Sequence, residues 1–80
     1  MNQRIRIKDL KKGQIVMERE YYARTEAEGT VELEILESPR KLEVEGATQW
    51  FVKAKTGYGE IIDLMETEGD WQFAPKLFTK

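Results

Sequence analysis

At 80 residues, with 40% hydrophobic and 35% charged residues, the chain has the composition of one small globular domain and is too short for a second. It contains no cysteine and no histidine, which removes disulfides, thiolate chemistry, soft metal ligands and the ordinary proton switch near neutral pH. The net charge of −2 hides an uneven layout: Arg4, Arg6, Lys8, Lys11 and Lys12 crowd the start, whereas acidic residues dominate 18–45 and 60–70.

Gln3 to Lys8 alternates Ile5 and Ile7 with basic residues, the period of a half-buried strand with a basic outer face. Asp9 to Gly13 then reads as a tight turn, with Leu10 tucked inward and Gly13 at positive φ. A strand from Gln14 to about Tyr22 follows, with Ile15 and Met17 on one face and Val16, Glu18 and Glu20 on the other. That parity sends Arg19 inward unless a bulge or the strand end intervenes. Ala23 to Gly29 has no apolar period and reads as a long exposed loop. Thr30 to Glu37 alternates strictly, with Val31, Leu33 and Ile35 set against Glu32, Glu34 and Leu36. Ser38-Pro39-Arg40 makes a turn, and Leu42 and Val44 alternate with charged neighbours in a short strand closed by Gly46.

The clearest element is the hairpin of Thr48 to Met65. Gly57, Tyr58 and Gly59 suit a three-residue loop whose last residue takes a left-handed conformation. Thr56 then opposes Glu60, and the register sets Ala54 against Ile62, Val52 against Leu64 and Trp50 beside Glu66. On the other face Lys53 meets Asp63 and Phe51 meets Met65. A two-residue turn would set Val52 against Asp63, so the apolar match selects the longer loop. Phe51, Ile61 and Met65 are thereby left outside the core. After Met65 the pattern breaks into an acidic stretch, an irregular segment with Trp71 and Phe73 laid across one end, and a short closing strand from Lys76 to Thr79.

Five to six short strands joined by glycine and proline turns predict an all-β fold, a small antiparallel barrel or rolled sheet formed as one domain over residues 1–80. The strand order from Gln14 to Thr79 resembles a Src-homology-3-like barrel, although no proline-peptide aromatic signature accompanies it. IKDLKKGQIVM near the start and WFVKAKTGYGEIIDLMETEGDWQFAPKLF near the end are similar to short uncharacterised proteins encoded by tailed bacteriophages, which commonly bind host machinery or have no assigned role. Fold likeness alone does not carry function.

No run is long enough to span a membrane, and the first residues lack the apolar core of a signal peptide, so a cytoplasmic protein without a membrane partner is expected. An enzyme would need a carboxylate pair. Glu18/Glu20, Glu32/Glu34 and Glu43/Glu45 instead read as the solvated outer face of a sheet, and there is no phosphate-binding loop, so neither catalysis nor a cofactor is expected. The same glutamates form a ladder that could dock on a basic protein, with plain solubility as the simpler explanation. Adjacent aromatics say more. Tyr21/Tyr22 and Trp50/Phe51 point to opposite faces of their strands, so one of each pair needs other cover. Parity places Tyr21 and Trp50 inside and leaves Tyr22 and Phe51 outside with Met65, Lys53 and Trp71. These five form the candidate site for a protein partner or a homodimer, unless the C-terminal segment folds over them. The alternative is a weak single-strand nucleic-acid surface built from Arg4, Arg6, Lys8, Lys11, Lys12, Lys53 and Lys55 around Phe51, opposed by a sequence pI of about 5.2.

Overall fold

A computed structural model of the chain describes residues 3–21, 28–71 and 74–79. Its elements are β1 (Arg4–Ile5), a 3-10 turn η1 (Ile7–Asp9), β2 (Ile15–Tyr21), β3 (Glu28–Ile35), β4 (Arg40–Val44), β5 (Ala47–Thr56), β6 (Ile61–Thr67) and β7 (Leu77–Thr79). The fold is all-β. Seven antiparallel strands, more than the five or six expected, form one sheet in the order β1-β7-β2-β3-β5-β4, with β6 on the other side of β5.

The sheet rolls around a core of Ile7, Leu10, Val16, Val31, Leu33, Ile35, Val52, Ala54, Leu64 and Leu77, against which Ile5, Trp50 and Ile62 pack. The β5–β6 hairpin has the register derived from its sequence, pair for pair from Trp50/Glu66 to Ala54/Ile62. Its loop closes through Thr56 N–H to Glu60 O at 2.8 Å and Gly59 N–H to Thr56 O at 2.9 Å, with Gly59 at φ +86°. The backbone of Gly57 also donates to Glu32 O of β3. Gly13 takes φ +87° after the buried Leu10, as the turn chemistry requires.

Three expectations fail, each for a local reason. The strand expected over Gln3 to Lys8 stops at Ile5, because Ile7 and Leu10, three apart, both enter the core. A 3-10 turn puts such residues on one side, closed by Leu10 N–H to Ile7 O at 3.0 Å. The faces of β2 are inverted. Val16 pairs with Leu33 and is fully buried, Ile15 and Met17 oppose Glu34 and Glu32 on the outside, and Arg19 is exposed. Glu18 therefore shares the inward face with Val31 and is half-buried. A single inward valine, matched to the strict alternation of β3, outweighs two larger residues that an open outer face can hold. Finally, β6 runs on to Thr67, and Glu66 is buried with only 3% exposure. Its Oε1 accepts the backbone N–H of Ile7 at 3.3 Å, so the carboxylate ties η1 to β6 where no strand pairing bridges them among the described residues.

β3 and β4 lie end to end along the same side of β5. Four residues, Leu36–Pro39, lie between Ile35 opposite Ala54 and Arg40 opposite Phe51, facing only Val52 and Lys53 on β5. The Glu37 carboxylate accepts the Lys53 N–H at 3.1 Å across this bulge. Because the excess is two residues, side-chain parity is unchanged beyond it. β4 then turns into β5 through Glu45 (φ +50°) and Gly46 (φ +81°), a two-residue turn with both centres left-handed.

Candidate protein-binding face

The register of β4, β5 and β6 decides which side chains share the outer face. Opposed residues of an antiparallel pair lie on the same side, and β5 alternates from Phe51 outward to Val52 inward. Phe51 is flanked by Arg40 and Met65, Gln49 by Leu42 and Thr67, and Ala47 by Val44, while Lys53 opposes Asp63 and Lys55 opposes Ile61. This side carries Leu42 (50% exposed), Val44 (42%), Ile61 (54%) and Met65 (50%), with Phe51 half-buried among them. Among the described residues these are four of five exposed large hydrophobic side chains; the fifth, Tyr58, is at the tip of the loop.

Of the expected site residues, Phe51, Met65 and Lys53 are brought together here. Lys53 Nζ reaches Asp63 Oδ1 at 3.0 Å, an exposed pair that contributes little to stability. Trp71 belongs elsewhere. The guanidiniums of Arg4 and Arg6 lie 3.7 Å and 4.4 Å from its ring centroid, and Arg4 also donates to the Trp71 carbonyl at 3.0 Å. The ring is half-buried against the N-terminal segment. Tyr22 and Phe73 lie outside the described residues.

Leu42 and Val44 are the members that the sequence reading missed. Every residue of β4 is exposed, and both apolar side chains point to the Phe51 side rather than to the core. The pairing of Lys41 with Trp50 puts the charged residues on the other side, where Lys41 Nζ lies 5.9 Å from the Trp50 ring centroid. Glu45-Gly46 was the available signal. A two-residue turn there fixes Val44 against Ala47, and Phe51 outside then requires Leu42 outside.

The expected glutamate ladder does not form as one surface. Glu32 and Glu34 point outward from β3, Glu18 points inward, and Glu43 lies on the Trp50 side of β4. Beside Lys55, an open depression of about 150 Å³ is lined by Ile15, Glu32, Glu34, Lys55, Thr56 and Gly57. Among the described residues no group of three or more acidic side chains is placed to hold a metal ion, and no helix is long and apolar enough to cross a membrane. Comparison of the chain with family models, curated proteins and solved structures gives no match.

Proposed function

We propose that the chain is a noncatalytic protein-binding module whose contact surface is the outer face of β4, β5 and β6. The observation that carries this reading is that Leu42, Val44, Ile61 and Met65 are all exposed on the side of the sheet that carries Phe51, with Met65 directly opposite Phe51. Exposed apolar groups on one face with methionine and aromatic members are the usual composition of an interface core. Arg40 and Lys53 on this side are paired with Glu37 and Asp63, and Lys55 stands beside Ile61, so the complementary partner presents apolar side chains with a border of mixed charge. The reading takes in the Src-homology-3-like strand order and the likeness to small bacteriophage proteins, which directs the search for a partner to bacterial proteins and its setting to the cytoplasm.

The nucleic-acid alternative has less support. Arg4 and Arg6 are engaged with Trp71, and Lys53 is paired with Asp63. Phe51 is flanked by Met65 on one side and on the other by Arg40, whose guanidinium lies 3.6 Å from the Glu37 carboxylate, so the cations around it are paired rather than open to a phosphate backbone.

The test is affinity capture from bacterial lysate with the native chain, a Phe51→Ser/Met65→Ser variant and a Glu32→Gln/Glu34→Gln variant. A specific protein held by the native chain and the glutamine variant but lost from the serine variant is expected. Capture that survives the serine changes, or that is lost with Glu32 and Glu34, overturns the assignment of this face.

A further inference from the structure

The second edge of β4 points to self-association. Along that edge no other strand pairs with β4 among the described residues. A two-residue turn is closed by a hydrogen-bonded pair, here Val44 and Ala47, so alternation directs the backbone groups of Leu42 and Arg40 toward β5. Those of Lys41 and Glu43 face outward, as a template for a further strand.

We infer that β4 pairs antiparallel with β4 of a second copy, about a two-fold axis perpendicular to the sheet that passes between the two Leu42 residues. In this register Lys41 opposes Glu43 of the partner subunit, and the reciprocal contact repeats it. Both are hydrogen-bonded positions, so the outward N–H and C=O groups of both strands are satisfied. Leu42 meets Leu42 of the partner subunit on the Phe51 side, and Arg40 lies across from Val44 of the partner subunit.

Neighbouring registers fail on named contacts. Shifting by two residues sets Lys41 against Lys41 or Glu43 against Glu43, and a shift of one pairs outward groups with inward ones. Edge strands are often guarded by lysines, which repel a second copy in every register. Here Lys41 and Glu43 alternate in sign about a central leucine, with Lys41 Nζ 3.6 Å from Glu43 Oε1 of its own chain, so two such pairs close into an alternating cluster of four charges in one register only. β6 has no such symmetry. Centring a pair on Leu64 sets Asp63 against Met65 of the partner subunit, and the bond from Ile7 to Glu66 brings η1 against that strand.

The dimer joins the two outer faces into one continuous surface, with the Leu42 pair between the two Phe51 clusters. It rests on the strand edge and the charge order and stands whether or not that surface takes a protein partner.

Charge reversal tests the register, with light scattering and sedimentation as the readouts and circular dichroism to check the fold. The native chain is expected to dimerise. Lys41→Glu alone and Glu43→Lys alone each bring two like-charge pairs together and weaken association at least about tenfold. Mixing those two variants restores a one-to-one heterodimer, and the double swap Lys41→Glu/Glu43→Lys in one chain restores the homodimer. A native chain that stays monomeric up to about 1 mM overturns the pairing. So does a dimer that persists in Lys41→Glu, or a mixture that fails to associate.

Discussion

Glu66 is the side chain whose removal most directly tests how the roll is closed. Its carboxylate is buried opposite Trp50 and accepts the N–H of Ile7, itself fully buried, at 3.3 Å. In Glu66→Ala that donor loses its partner, a cost of about 1–3 kcal/mol; the long separation argues for the lower part of the range. The lost burial of one methylene adds about 0.8 kcal/mol. The expected destabilisation is therefore about 2–3 kcal/mol, enough to lower the midpoint of thermal unfolding by roughly 8 °C or more in a domain of this size. Glu66→Gln keeps the side-chain length and the oxygen acceptor and is expected to stay within about 1 kcal/mol of the native protein. Urea denaturation with common m-values measures both variants, and amide exchange at Ile7 gives a local readout, protected in the native and glutamine proteins and fast in the alanine one. Equal stability of the glutamine and alanine variants would refute the reasoning, because the acceptor would then contribute nothing to closure.

Three further substitutions test the faces and the turn. Leu33→Ala removes a fully buried side chain from β3 and is expected to cost about 2–5 kcal/mol, whereas Leu42→Ala on the exposed side of β4 should stay within about 0.5 kcal/mol in the monomer. Comparable losses at the two sites in urea titrations would mean that β4 contributes its leucine to the core. Glu45→Asn replaces a side chain that tolerates φ +50° poorly with one that favours it, and should raise stability by about 0.5–1 kcal/mol. A fall in the urea midpoint would show that Glu45 makes a stabilising contact outweighing the backbone strain.

The hairpin of β5 and β6 was legible because two independent signals agree there. Glycines at 57 and 59 set the loop, and only one register matches Val52 and Ala54 to apolar partners. β3 was legible for a similar reason, since Val31, Leu33 and Ile35 alternate without exception and all three are buried. In β2 both faces offer apolar residues, so periodicity alone gives no sign of which is inside. The decision comes from the pairing with β3, a contact between Val16 and Leu33 that local pattern cannot supply. Glu66 was illegible for the opposite reason. Its parity was right for the core, but its chemistry argued against burial, and what reconciles the two is an N–H from η1, distant in sequence.

The outer face shows the same division between local and relayed information. Phe51, Met65 and Ile61 could be placed outside from the hairpin alone. Leu42 and Val44 alternate with charge, the ordinary signature of a half-buried strand, and that pattern left their side of the sheet unassigned. Alternation states only that two faces differ. Which one is dry depends on what covers it, and β4 extends past the region where β3, β2 and β7 close the roll. The two-residue excess at Leu36–Pro39 preserves parity, so the face that is outer at Lys53 remains outer at Leu42. The apolar side chains of β4 thereby extend the Phe51 cluster to the sheet edge, where a second strand could continue it.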